Sequence, residues 1–182
     1  MGVENIFSGP GIFIWGVDET GEEETNAVIF DLTQGGIRFT TTTSWHETKV
    51  DQYGEVPVQR SSTGTLGSVE FDSPEIDYDK VMKFDPSVVK VTDELDSDKV
   101  KYQVTGLAGK KLPRKRAVIK PQGITDTNMF IYLEECSIEF DADFGFKTDD
   151  NLKMPVRVSC YPSLTSNPRG LLYTWGDISA TA

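Results

Sequence analysis

Apolar and polar residues alternate along most of the chain, which is the pattern of β-strands with one buried face. The clearest case places Ile138, Phe140, Ala142 and Phe144 on one face and acidic residues on the other. Ile37–Trp45 alternates in the same way. Further strands are predicted at residues 12–16, 27–32, 63–71, 88–91, 100–105, 129–133, 156–161 and 171–175. Residues 88–91 and 100–105, separated by an acidic turn, are expected to pair as a hairpin.

Only one segment has the pattern of a helix, at about residues 74–84. Ser73 is expected to cap it and Pro74 suits its first position, while the acidic residues that follow favour the positive end of a helix dipole. Tyr78, Val81 and Met82 then form an apolar stripe with helical spacing. Asp85-Pro86 ends the helix, since a proline restricts the residue before it.

The predicted elements define a mainly β protein with about nine to eleven strands and one short helix. We expect an antiparallel β-sandwich or flattened barrel with the helix covering an open end or edge. Residues 1–182 are predicted to form a single domain. It would carry an irregular amino-terminal arm at residues 1–11 and a polar loop or extended hairpin tip at residues 49–60.

The strongly negative charge of the chain argues against some classes of function. The chain has a formal net charge of −11 and an isoelectric point near 4.5, which argue against ordinary binding to nucleic acid phosphates. No long apolar run and no basic amino-terminal leader segment are visible, so neither a membrane span nor a secretory signal is predicted. Cys136 and Cys160 lie among strand residues without metal or redox spacing, which favours two buried, reduced thiols.

One basic segment stands out against this acidic background. It contains six basic residues and no acidic residue: Lys110, Lys111, Arg114, Lys115, Arg116 and Lys120. A patch of this kind suits docking on an acidic partner, whereas most charge runs are simply solvated, and both interpretations stay open. The segment is not a phosphate-binding loop, because it lacks the glycine spacing and the Ser or Thr that follows the lysine in such loops.

The residues needed for catalysis or cofactor binding do not assemble into a recognisable pattern. His46 is the only histidine, and no nucleophile or ligand cluster accompanies it in the sequence. The acidic residues Asp141, Asp143, Asp149 and Asp150 suggest a Ca²⁺ loop, but Gly145 and Leu152 stand where an EF-hand needs ligands. We therefore expect no enzyme activity, no metal and no cofactor.

The order of features resembles the major tail (tail tube) proteins of long-tailed bacteriophages. An arm is followed by an early hairpin, by Val50-Asp-Gln-Tyr-Gly-Glu-Val-Pro-Val58, and by the helix with its Ser-Pro-Glu-Ile-Asp-Tyr-Asp-Lys-Val-Met sequence. A long β half with Asp126-Thr-Asn-Met-Phe-Ile-Tyr-Leu-Glu-Glu-Cys and a terminal Gly176-Asp177 complete the order. The resemblance covers roughly the whole chain and rests on this architecture rather than on a strict motif.

The resemblance implies a structural protein of the virion tail, assembled in the host cytoplasm. Its copies would form rings, usually hexameric, that join other tail proteins and stack into a tube through which DNA passes without specific binding. Other tail components, such as a terminator, a distal-tail protein or a tube initiator, share this architecture and stay open as alternatives. A β-sandwich carbohydrate-binding module is the alternative from a different class.

Two sets of residues carry the expected contacts. The first is a subunit interface formed by Tyr53, Gly54, Glu55, Val56, Lys110, Lys111, Arg114, Lys115 and Arg116. The second consists of Glu139, Asp141 and Asp143, which are expected to face the lumen, where an acidic wall would repel DNA. The same acidic face could equally meet solvent on the outside of the tube.

Overall fold

Antiparallel strands make up most of the structure, a computed structural model that describes residues 9–106, 108–140 and 152–180. The strands of the described residues are β1 (Gly11–Val17), β2 (Glu23–Phe30), β3 (Gln34–Lys49), β4 (Pro57–Ser73), β5 (Val88–Thr92), β6 (Val100–Val104), β7 (Lys115–Pro121), β8 (Ile131–Phe140), β9 (Met154–Tyr161) and β10 (Tyr173–Trp175). One α-helix, α1 (Tyr78–Phe84), follows β4, and short 3₁₀ turns lie at Asp51–Tyr53 and Thr127–Met129. The prediction of a mainly β fold with one short helix is confirmed. A single domain over the whole chain stays a prediction.

The main sheet has the strand order β2-β1-β7-β8-β9-β4-β3, and β10 pairs with the first residues of β8. Strands β5 and β6 form a separate two-stranded sheet, so the predicted hairpin there is confirmed. Residues 129–133 and 137–144 were expected as separate strands, but the described part of this region forms one continuous strand, β8. Glu134 and Glu135 do not interrupt it, because β7 and β9 pair along its two edges.

The main sheet curls so that its two halves face each other. Phe13 of β1 and Phe71 of β4 are separated by three strands in the sheet order, yet their ring centroids lie 5.4 Å apart. Phe30 of β2 packs edge-on against Phe71 at 5.2 Å. Each fully buried side chain of this kind stabilises the fold by roughly 1.5–3 kcal/mol. The core therefore lies inside a flattened, sandwich-like arrangement, as the alternation predicted.

Helix α1 begins four residues later than the sequence predicted. Asp77 caps it, with its side chain accepting hydrogen bonds from the backbone N–H groups of Asp79 and Lys80. Ser73 cannot serve as the cap, because it still belongs to β4, opposite Met154 of β9. The helix ends at Phe84, with Asp85 as its C-cap, as expected. Val81 and Phe84 are buried in the core that the sheet encloses, so α1 packs against it.

Candidate assembly surfaces

The longest element is the hairpin of β3 and β4, and its outer half projects beyond the sheet. β3 pairs with β4 as far as Pro57, whereas β9 pairs with β4 only at Gly67–Ser73. All residues at positions 57–66 are exposed, and the alternation of buried residues begins at Gly67. We call residues 42–66 the ribbon. Of the two predictions for residues 49–60, a polar loop or an extended hairpin tip, the second is confirmed, with Pro57 and the three residues after it already in β4.

The tip of the ribbon, residues 50–56, brings together the four residues predicted there. The 3₁₀ turn Asp51–Tyr53 leads into Gly54, whose φ of 61° is in the left-handed region that favours glycine. Tyr53 and Val56 are 66% and 64% exposed, and Glu55 forms a 2.6 Å ion pair with Lys49. The tip therefore presents an aromatic and an aliphatic side chain to the surroundings.

Cross-strand contacts hold the ribbon together, and no other strand of the described residues pairs with it. Arg60 lies over the ring of Trp45 at 4.9 Å and is 3.5 Å from Glu47, while the hydroxyls of Thr43 and Thr65 are 3.0 Å apart. Contacts of this kind contribute roughly 0.2–1 kcal/mol each. Isolated two-stranded hairpins are only marginally stable in water. The ribbon is therefore an element that a partner surface would stabilise.

The basic segment finds acidic partners within the same chain. Lys110 lies 2.6 Å from Asp85, Lys115 lies 2.6 Å from Glu24, Arg114 lies 3.8 Å from Glu135, and Arg116 pairs with Glu134. Asp85 and Glu134 are the two buried carboxylates among the described residues. Lys111 is exposed and has no ion pair within the described part of the chain. Docking of this segment on a second subunit stays a prediction, and Lys111 is its most available member.

Asp85 is the most strongly anchored of these acids. Its carboxylate accepts hydrogen bonds from Lys110 and from the backbone N–H and hydroxyl of Ser87. Burial by itself raises the pKa of this carboxyl, but the bonds from Lys110 and Ser87 outweigh burial and hold the pKa below its ordinary value of 3.8. Its backbone N–H also bonds to Val81 O at the end of α1. Lys110 therefore has a structural role in its own subunit.

The predicted lumen face is described only in part. Glu139 is exposed and accepts a hydrogen bond from Ser159, while Ile138 is buried on the opposite face as expected. The strand register aligns Arg38, Glu70, Arg157 and Glu139 across β3, β4, β9 and β8. This row alternates in charge, so its carboxylates stand beside guanidinium groups. Asp141 and Asp143 lie outside the described residues, as does most of the acidic segment that suggested a Ca²⁺ loop.

The described side chains of the types that most often act in catalysis or metal binding lie in separate parts of the structure. His46 lies exposed on the ribbon. Cys136 and Cys160 are free, buried and directly opposite each other on β8 and β9. Burial raises the pKa of the Cys160 thiol to about 11 and raises the pKa of Cys136 well above its usual range. No group of three or more potential metal ligands occurs in the described part of the chain.

No helix among the residues that the structure describes is long and apolar enough to cross a membrane.

A groove that no sequence pattern predicted lies beside the base of the ribbon. Thr41, Thr43 and Thr65 form one wall, residues 168–173 form the other, and the volume between them is about 460 Å³. Tyr173 packs edge-on against Phe39 at 5.2 Å, which fixes the second wall against the hairpin. The two walls are more than a hundred residues apart in the chain, so no local pattern could indicate the groove.

No protein-family model matches the chain, and no curated protein shows significant similarity to it.

Proposed function

We propose that this chain is a structural virion protein whose copies assemble into stacked rings that form the tail tube of a long-tailed bacteriophage. The tube would be a conduit for the DNA, with no catalytic role for the subunit. The partners would be further copies of the chain, in rings of six as the resemblance implies, and the other tail proteins. Assembly would take place in the host cytoplasm and the finished protein would reside in the virion.

The observation that carries this proposal is the ribbon. It projects past the pairing with β9, has no third strand among the residues that the structure describes, and exposes Trp45, Tyr53 and Val56. Exposed apolar side chains on a projecting hairpin are typical of a contact with another polypeptide. Because the tip and the body of the subunit are different surfaces, a contact between them in two copies would be heterologous. Such contacts generate closed rings or open filaments.

The charge of the chain supports a conduit rather than a DNA-binding protein. With a net charge of −11, the subunit repels phosphates at short range, and salt screens this repulsion beyond about a Debye length. A tube wall of this kind would let DNA pass without holding it. The row that contains Glu139 has no net charge, since two arginines alternate with two glutamates along it, so it would not hold DNA either.

Negative-stain electron microscopy of the purified protein over a range of concentrations tests the proposal. We expect rings or tubes of uniform diameter at high concentration. Particles that remain monomers of about 20.2 kDa at every concentration and salt would contradict it. Rings that never stack would favour one of the other tail components, such as a terminator or a tube initiator.

A carbohydrate-binding module is the second candidate, and one observation favours it. Tyr173 and Trp175 stand on the same face of β10, and Trp175 is 72% exposed. Neighbouring exposed aromatic rings provide stacking surfaces for sugar rings. This candidate predicts a monomer that is retarded in polysaccharide-containing gels, with the retardation lost on Trp175→Ala.

A further inference from the structure

The groove beside the base of the ribbon is already formed in the single chain. Leu171 O accepts a backbone hydrogen bond from Ser163 N at 2.9 Å, and Leu172 O accepts one from Glu134 N at 3.2 Å. Gly67 brings the hairpin close, since a Cβ atom there would lie 3.5 Å from the side chain of Leu172. Both walls are therefore held by the fold, and binding would require little rearrangement.

The groove combines apolar surface and threonine hydroxyls with one positive charge. Leu171 and Tyr173 contribute its apolar surface, the threonines of β3 and β4 contribute hydroxyls, and Arg169 is the one charged residue among the described residues that line it. Arg169 is exposed and has no ion pair among the described residues. The groove thus suits an aromatic or aliphatic side chain with a carboxylate close by.

The tip of the ribbon carries that combination. Tyr53 is exposed, and Asp51 lies two residues before it in the same 3₁₀ turn. Asp51 is exposed and, within the described part of the chain, forms no ion pair, in contrast to Glu55 beside it. The tip and the groove therefore each combine apolar surface with one unpaired charge, and the two charges are opposite.

The tip cannot reach the groove of its own chain. Asp51 lies eight positions after Thr43 along the extended β3 and the residue that follows it, a distance of roughly 26 Å at about 3.3 Å per residue. A tip that occupies this groove must therefore belong to a second copy.

We propose that the tip of one copy seats Tyr53 in this groove of a second copy, with Asp51 against Arg169. This inference rests on the proposed self-assembly and names the surface that receives the tip. The contact is head-to-tail, because each copy offers its tip to one neighbour and its groove to another. The pairing of one charge with one apolar anchor also sets the register of the contact.

A charge exchange tests the pair directly. Asp51→Arg and Arg169→Asp should each raise the concentration needed for half-maximal assembly by about tenfold or more, since close interfacial charge pairs couple by about 1.5 kcal/mol or more. The double variant Asp51→Arg/Arg169→Asp should return to within about threefold of the unaltered protein. Sedimentation at a fixed salt concentration measures all four proteins.

Two neighbouring positions on β3 provide a matched steric test. Thr43 is half-buried and lines the groove, whereas Thr42 is exposed and points to the other face of the ribbon. Tyrosine is favoured in strands, so both substitutions should leave the fold intact, which circular dichroism and thermal melting check. Thr43→Tyr should fill the groove and prevent assembly, while Thr42→Tyr should assemble normally.

The outcomes separate this contact from the proposed function. If the unaltered protein forms tubes but the charge exchange shows no rescue and Thr43→Tyr assembles normally, the groove contact is wrong and the tube proposal stands. Binding of a sugar or an unrelated peptide in the groove of the assembled tube would likewise show that the groove contact is wrong, while the tube proposal would stand. If the unaltered protein stays monomeric throughout, both the contact and the proposed function are overturned.

Discussion

Asp85 illustrates how single residues connect the sheet, the helix and the basic segment. Its backbone ends α1, its carboxylate receives Ser87, and Lys110 supplies the opposite charge from 25 residues further along the chain. Glu134 is the other buried carboxylate among the described residues, and it pairs with Arg116 of the same segment. The basic residues thus neutralise buried acids, which explains part of their clustering in an acidic chain.

Removing the charge of Lys110 should destabilise the fold. Lys110→Met leaves the buried Asp85 carboxylate with only Ser87 as a partner, and we expect the free energy of unfolding to fall by about 1–3 kcal/mol. The side chain of Lys110 is 39% exposed, so solvent screens the pair and the lower half of that range applies. Urea unfolding followed by tryptophan fluorescence measures the change. Lys111→Met is the matched control and should stay within about 0.5 kcal/mol of the unaltered protein.

The pKa of Asp85 also predicts how stability depends on pH. Because folding lowers this pKa, the carboxylate stabilises the fold at pH values above its ordinary value of 3.8, and the contribution is lost as pH falls through the folded value. Asp85→Asn removes the titrating group while keeping its shape. The unaltered protein should therefore be more stable than this variant at pH 7, with the difference shrinking below pH 3.8. A difference that stays constant to pH 2 would contradict the assignment.

At the scale of the elements, the ribbon contributes little to the packed core of its own subunit. The ribbon lies beyond β9, and its β4 residues are all exposed. In the rest of β4, buried and exposed residues alternate. The β3–β4 hairpin is therefore part of the main sheet on one side of Gly67 and projects as a two-stranded ribbon on the other. This change separates the part that holds the fold from the part available to a partner.

Deleting the tip residues Tyr53–Val56 should abolish assembly without unfolding the subunit. These residues are exposed, so their loss removes no core contact, and the strands can close through a shorter turn. Circular dichroism and melting should resemble those of the full chain, while electron microscopy should show no tubes. Normal tubes from the deletion variant would mean that the tip is not part of the interface.

For the basic segment, Lys111 provides the cleanest test of docking, since the paired residues also hold the fold. Lys111→Glu should weaken assembly most at low salt, because charges at the rim of an interface act through screened, long-range attraction. The effect should largely disappear near 1 M salt, where the Debye length is about 3 Å. Assembly that is unchanged at low salt would exclude Lys111 from the interface.

At the scale of the whole molecule, the curled sheet has one polar outer face across β3, β4, β9 and β8. Arg38, Glu70, Arg157 and Glu139 cross it as a row, and Ser68, Ser159 and Ser137 follow on the same face. This face is polar, and its charges alternate in sign along the row. It suits either a channel wall or the solvent side of a tube.

A structure of the assembled tube decides between these two positions. If the lumen hypothesis holds, Glu139, and with it Asp141 and Asp143, should point towards the channel axis in every subunit. The physical reason is that repeated carboxylates keep phosphates from the wall without any specific contact. Carboxylates directed away from the axis would place this face outside, even in a protein that forms tubes.

The sequence by itself determined the mainly β class, most of the strands, the β5–β6 hairpin and the end of the helix, but it missed β7, whose basic residues were interpreted only as a charged segment. These depend on residues close together in the chain, since side-chain alternation, turn residues and a proline after Asp85 act locally. It also placed Tyr53, Gly54, Glu55 and Val56 together at an exposed tip.

Only the tertiary structure decided how far each element extends and which surfaces meet. β9 pairs with β4 up to Ser73, and this ladder, rather than the local capping preference of Ser73, sets the start of α1 at Tyr78, with Asp77 as its cap. Lys115 meets Glu24 across 91 residues of sequence, so the basic segment is largely neutralised within the chain. The groove likewise joins β3 and β4 to residues 168–173. Contacts between such distant segments follow from the curling of the sheet, which no local pattern of residues encodes.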